Sequence, residues 1–490
     1  MPTHRRPAAG DGRARKNAHM TQHDLIVIGA GMAGLAAAEK CASRGWQVAV
    51  VDDQPYGGTC ALRGCDPKKI LRRAAEVVES ARLMAGRGVG VRGGGPGDGG
   101  SDVEGGGDAG GLAIDWADLV AYKRGFTDPA PARMEANLTR LGIRTLHGVA
   151  RFVGADALDI DGERHTAAHI LVATGAVPRP LDFPGHEHVL DSTGFMELAT
   201  LPERILFLGG GFVSFEFAHV AVRAGSRTVI IDRHPRPLKQ FDPDLVERLV
   251  ASGARAGVEV WRSSTISRIE RIGTELRVTV ETDGVPREVA ADLVVHGAGR
   301  IPDLARLDLG AAGVAYDTHG VTVTEHLQST TNPAVWAAGD AAASPGLPLT
   351  PVAVVEAKVA ASNMLKGDRA ELYATPDHTG TPAGVFSIPE LVRVGLLEHE
   401  AHDAGIDVDV RLTDTSGWYS SYRIGGTTSA VKVLVDRATD RVIGAHLLGP
   451  DYAELANTFA LAIKVGLTRR QLAAAPALYP TLGSDLSSML

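Results

Sequence analysis

Two cysteines with four residues between them, Cys60 and Cys65 in YGGTCALRGCDPKKILRRAAE, have the type and spacing for redox chemistry. Asp66 and Pro67 read as an N-cap and first-turn pair, so a helix opens beside Cys65 and its dipole favours a thiolate there. Cys41 is the only other cysteine, too few for a disulfide framework in 490 residues.

A redox pair needs an electron source, and the preceding residues supply one. The run HDLIVIGAG from His23 reads as a buried strand entering a glycine turn, with a helix of small residues after it. Gly29, Gly31 and Gly34 let the backbone approach a pyrophosphate, and Asp52, 18 residues beyond Gly34, can accept from a ribose hydroxyl. The unit recurs at a constant offset of 180, as Gly209, Gly211, Ser214 and Asp232. Two dinucleotide-binding units are expected.

Length and composition frame these units. At about 150 residues per domain the chain should hold roughly three, and 44% hydrophobic against 22% charged residues suffices for real cores. A formal charge of −8 offers no field for nucleic acid. No apolar run of membrane-spanning length occurs and the basic N-terminus carries no secretory signal, so a cytoplasmic protein without a membrane partner is expected. Residues 1–20 read as a disordered basic tail, and residues 86–111, 14 of them glycine, as a flexible insert. None of the 17 histidines forms a ligand cluster; His296, His378 and His446 read as structural or exposed, and no protein-bound metal is expected. No nucleophile elbow is visible, which excludes the common hydrolase layout. After about Lys366, alternating strands such as SAVKVLVD precede helical periodicity in ELANTFALAIKVGL, a third domain of α+β type.

From about His23 onward the chain resembles the flavin-dependent pyridine nucleotide-disulfide oxidoreductases, the family of glutathione reductase, lipoamide dehydrogenase and mercuric reductase. The resemblance rests on GGTCALRGCDPKK, on Ala173-Thr174-Gly175, on GAGRIPD from Gly297, on PAVWAAGD ending at Asp340, on LTPVAVVEA and on VFSIPELVRVGLLEHEA, in the family's order. It implies an α/β fold with two Rossmann-like domains, glutathione-reductase-like, and a C-terminal dimerisation domain. The implied division is 21–185 and 296–368 for FAD, 186–295 for NAD(P)H and 369–490 for the interface.

Residue by residue, the resemblance implies FAD over Gly29 to Gly34, near Thr59, Thr174 and Gly175, with its ribose on Asp52 and its ribityl chain on Asp340. Cys65 would face the flavin as thiolate and Cys60 would exchange with substrate, while Lys68 and Glu216 pair beside the flavin and Phe212 gates it. NADPH or NADH would bind at Gly209, Gly211 and Gly299. Asp232 suits a 2′-hydroxyl and so NADH; Arg233, where NADPH-using members clamp the 2′-phosphate, suits NADPH, with Arg236 and Lys239 nearby. Both remain open.

The pattern breaks at the end. Where the family carries a His-Glu proton relay, this chain has Tyr479 and Ser484, with Asp485 one residue on. A tyrosine with a pKa of about 10 is a poor base at neutral pH but can donate a proton. Slow exchange with ordinary alkyl disulfides is the implication. The leading expectation is electron transfer from NAD(P)H through FAD and Cys60-Cys65 to a small thiol or disulfide. Reduction of a metal ion such as mercuric ion, or of a quinone, is the alternative, and a low-turnover flavin redox sensor is the third. A homodimer would bring Tyr479 of one subunit to the cysteines of the other.

Overall fold

The computed structural model describes residues 21–90 and 112–490; the basic tail and positions 91–111 of the glycine-rich insert lie outside the described residues. Strand Thr21–Ile28 pairs in parallel with Val48–Asp52 on one side and Glu163–Val172 on the other. Leu25, Ile26 and Val27 are fully buried, as a parallel strand covered on both faces requires. The sheet reaches seven strands: Arg144–His147 flanks Val48–Asp52, an antiparallel pair, Ala150–Gly154 and Ala157–Ile160, extends from Glu163–Val172, and Val335–Ala337 returns from much later in the chain.

Helix Met32–Ala42 crosses between the first two strands. Its buried face is Ala33, Gly34, Ala37, Ala38 and Cys41, and in the same cluster lie Ala357, Ala360 and Ala361 of helix Thr350–Met364. Small residues on both partners allow close approach of the two helix axes. That contact ties a late segment of the chain to the first glycine turn.

The second unit is a five-stranded sheet in the order Val258–Trp261, Arg227–Ile231, Arg204–Leu208, Leu293–His296, Val189–Leu190, all parallel. A three-stranded antiparallel sheet, Ser264–Ile272, Glu275–Thr282 and Val285–Ala291, packs beside it. Strands Ala176–Pro178 and Arg300–Pro302 pair antiparallel where the chain enters and leaves this unit. The third unit is a five-stranded antiparallel sheet from Pro382–Val385 to Val408–Asp414, with helix Tyr452–Val465 packed on it through Tyr452, Leu455, Ala456 and Phe459. No described helix is long and apolar enough to cross a membrane.

Candidate active site

Backbone crossings form the site. At Gly29, φ is +108°, and a Cβ would fall 2.3 Å from the carbonyl oxygen of Ala173; at Gly34 it would fall 1.9 Å from that of Gly29. Gly58, with φ of +62°, passes so near Gly31 that a Cβ would lie 2.6 Å from its Cα. The cysteine turn is thereby pressed against the glycine turn, which brings Cys60 and Cys65 to the cavity that Gly29, Gly31 and Asp52 line.

Two helices carry the cysteines. Gly58–Arg63 holds Cys60, and Cys65–Met84 begins at Cys65 itself, with Gly64 preceding it. Asp66 is therefore a first-turn residue and not the N-cap expected from sequence. The reason is steric: a Cβ at Gly64 would lie 2.9 Å from the carbonyl of Thr59, so glycine is needed where the two helices meet. Cys65 gains the full N-terminal dipole.

Both sulfurs are free thiols, and Cys65 Sγ lies 3.9 Å from Thr350 Oγ1. The hydrogen bond from Cys60, aided by the Lys68 charge, brings Cys65 down to about 6 against the pull of burial. The same bond, together with burial, pushes the Cys60 thiol well up. Cys41, buried away from the cavity, is pushed up to about 12 by desolvation.

One cavity of about 1040 Å3 gathers most of the expected residues: Gly29, Gly31, Asp52, Thr59, Cys60, Cys65, Lys68, Thr174, Gly175, Phe212, Glu216 and Asp340. Gly34 lies beneath the turn. Asp52 accepts from the Ala30 amide at 2.7 Å and the Gln54 amide at 2.8 Å, and burial raises its pKa. Asp340 is raised by burial too, against the opposing charge of Arg300. Phe212, the first residue of helix Phe212–Arg223, is 46% exposed, with Lys68 Nζ 5.5 Å from its ring centroid. Lys68 ion-pairs with Glu216 on that helix, and the other Glu216 oxygen accepts from the Phe386 amide at 2.8 Å.

Gly209, Gly211, Asp232, Arg233 and Gly299 stand apart from this cavity, around the second glycine turn. A Cβ at Gly209 would meet Ala298 Cα at 2.6 Å, repeating the crossing at Gly29. Asp232 is 5% exposed, and its Oδ2 sits where a Cβ at Gly210 would be only 2.2 Å away. Arg233 is exposed, and its Nε lies 3.1 Å from His234 Nε2. Tyr479 is 78% exposed and does not reach the cavity of its own chain.

Comparison with known proteins identifies the family. Residues 23–357 match the family described as pyridine nucleotide-disulphide oxidoreductase, and residues 381–489 match its dimerisation domain. The chain belongs to that family. A glutathione reductase of Burkholderia cepacia is 30% identical over 95% of this chain and 98% of its own. A mercuric reductase of Bacillus cereus is 29% identical over 95% of this chain and 70% of its own. The Cu(II) complex of the HOCl-induced flavoprotein disulfide reductase RclA from Escherichia coli shares the fold, with a TM-score of 0.82 at 24% identity over 96% of this chain and 99% of that one. The protein is an FAD-dependent disulfide oxidoreductase by family, and its family uses NAD(P)H.

Against that family frame, several residues escaped the sequence reading. Thr350 opens its helix beside Cys65; its stretch, LTPVAVVEA, carried only resemblance. Glu356, fully buried, accepts from the Gly339 amide at 2.9 Å and Ser344 Oγ at 2.6 Å, and so holds the turn that carries Asp340. Lys69 rests on the Phe386 ring and is brought down to about 7 by burial and Arg72. Their distant partners left no local pattern. His296 uses both ring nitrogens on backbone, at Arg179 and Ala298, and buried His446 bonds the Leu396 carbonyl. His378 lies 3.4 Å from Glu356.

Proposed function

We propose that this enzyme reduces a small disulfide with NADPH, through FAD and the Cys60-Cys65 pair. The carrying observation is geometric: Cys65 opens its helix with Lys68 one turn on, and it shares with Cys60 the cavity that the first glycine turn lines. The FAD site passes a test of fit: the glycine backbone at positions 29 and 31 opens onto the large cavity, and the buried Thr174 hydroxyl there has no hydrogen-bond partner among the described residues. FAD, when bound, supplies hydride acceptance from the nicotinamide and two-electron delivery to the disulfide.

The protein's own residues do the rest. The Gly29 to Gly34 turn would hold the pyrophosphate, Asp52 the ribose and Asp340 the ribityl chain. Lys68, fixed by Glu216, would place positive charge beside Cys65 and the flavin. Cys60, after losing its proton, attacks the substrate, and Cys65 then resolves the mixed disulfide. Tyr479 of a second subunit would protonate the leaving thiolate, and Asp485, held by Ser420, would steady its loop.

NADPH is preferred over NADH in this reading on the basic residues beside the second glycine turn; Asp232, whose Oδ1 accepts from the His234 amide at 3.2 Å, caps its turn as Asp52 does and leaves the choice to them. Arg233 and Lys239 are exposed and His234 half-buried, a basic rim for a 2′-phosphate.

A second reading, reduction of a soft metal ion held by both sulfurs, draws on Tyr479 standing where the relay histidine would be and on the likeness to mercuric reductases and to a Cu(II)-bound flavoprotein. An acceptor panel with the holoenzyme distinguishes the two. Disulfide-dependent NADPH oxidation that Cys60→Ser abolishes, with flavin retained, is expected. Oxidation only by mercuric or cupric ion would transfer the assignment to metal reduction.

A further inference from the structure

Asp340 reaches the large cavity on a short turn, Gly339–Ala341, that follows the fully buried strand Val335–Ala337. At Gly339 φ is +68°, and a Cβ there would press on Ala353 Cβ at 3.0 Å, so the turn is fitted against helix Thr350–Met364. That helix also carries the buried Glu356. Its Oε2 accepts from the Gly339 amide and its Oε1 from Ser344 Oγ, so one carboxylate grips the chain on both sides of Asp340. Burial raises the pKa of Glu356, and Ser344, the Gly339 amide and His378 all act to keep it ionised.

His378 arrives from a separate segment, residues 373–381, which lies between helix Thr350–Met364 and strand Pro382–Val385. Its Nε2, 3.4 Å from Glu356 Oε1, is buried, with no hydrogen bond and no other ion-pair partner among the described residues. Gly346 passes beside both groups: a Cβ there would fall 2.6 Å from Glu356 Oε1 and 2.9 Å from His378 Cε1. The segment is fastened on either side of His378. Toward the FAD unit, buried Asn363 donates to the Ala374 carbonyl at 2.8 Å and accepts from the Ala374 amide at 2.8 Å. Toward the interface domain, Asp377 ion-pairs with Lys464 at 2.6 Å. Gly380, with φ of +73°, lies so near helix Tyr452–Val465 that a Cβ would meet the Ala460 carbonyl oxygen at 2.6 Å.

We propose that Glu356 and His378 are positioning residues for the flavin: Glu356 holds the Asp340 turn, His378 holds Glu356, and the segment carrying His378 makes FAD retention depend on how the interface domain is docked. A buried carboxylate that loses a partner is costly, so its remaining contacts rearrange when His378 is removed or displaced. The effect reaches the cofactor through the turn, because neither residue needs to touch it. Every link from helix Tyr452–Val465 through Gly380, His378 and Glu356 to Gly339 is a direct contact or a short stretch of backbone, the kind of continuous path along which coupling travels. The proposal holds for whichever acceptor the cysteines serve.

The test follows release of FAD from the diluted holoprotein as the rise of free-flavin fluorescence, with far-UV circular dichroism confirming that the chain stays folded. His378→Leu should speed release about tenfold, the scale of one lost contact to a charged group, and His378→Gln, which keeps a donor toward Glu356, should restore most of the difference. Gly346→Ala, which pushes between the two side chains without altering either, should also speed release several-fold. Gly380→Ala should do so from the far side of the segment, and should add almost nothing once His378 is leucine, the non-additivity that a shared path requires. Release unchanged in His378→Leu or in Gly346→Ala overturns the proposal. So does a His378→Gln as fast as His378→Leu, or effects of Gly380→Ala and His378→Leu that simply multiply.

Discussion

Lys68, on the helix that begins at Cys65, ion-pairs with Glu216, which lies on the second unit's Phe212–Arg223 helix and also accepts the amide of Phe386 in the third. One carboxylate, 2% exposed, therefore joins segments of all three units beside the cysteines. The pair positions charge and fastens the architecture at once.

Removing the lysine leaves that carboxylate buried and unpaired. Lys68→Met should cost about 3–5 kcal/mol in stability, the usual penalty for orphaning a buried charge. Glu216→Gln keeps the Phe386 bond and should cost less. Urea unfolding of both holoproteins checks this; equal stability of Lys68→Met and wild type would mean that the pair is not buried in solution.

The lowered pKa of Cys65 has a sign. A group depressed in the folded protein contributes stability that is complete above its unfolded value, near 9, and is lost as pH falls through about 6. The two-electron-reduced enzyme should thus melt lower as pH drops from 9 toward 5. The long-wavelength absorbance expected of a Cys65 thiolate against bound flavin should fade as pH falls, with a midpoint of about 6, and be absent in Cys65→Ser. A midpoint near 9 would show that the Cys60 bond and Lys68 do not act on this thiol.

Nucleotide choice should follow the exposed arginine. Arg233→Ala should lower kcat/KM for NADPH about tenfold, the loss of one charge-assisted phosphate contact, with NADH changed little. Equal losses for both cofactors would place Arg233 in general folding of the loop instead.

Tyr479 should matter only across subunits. Tyr479→Phe should slow disulfide turnover about tenfold, within the span of a single acid catalyst, while NADPH oxidation by a quinone is retained. Steady-state assays with the two acceptors check this, and an unchanged disulfide rate would leave the tyrosine a space-filling role.

Much of this was written locally. The glycine turns at 29–34 and 209–214, the terminal acids Asp52 and Asp232, and the Cys60-Cys65 spacing were legible because each is a short-range backbone requirement repeated within one strand-turn-helix unit. Tertiary structure decided what depends on distant segments. It turned Asp232 inward against Gly210, set Thr350 beside Cys65, joined Glu216 to both Lys68 and Phe386, and moved Asp66 from an expected N-cap into the first turn of its helix. Each of these is a contact or a placement between residues far apart in the chain, or a steric exclusion at a helix junction. Burial and charge pairing of that kind exist only once the chain has folded, and no local pattern encodes them.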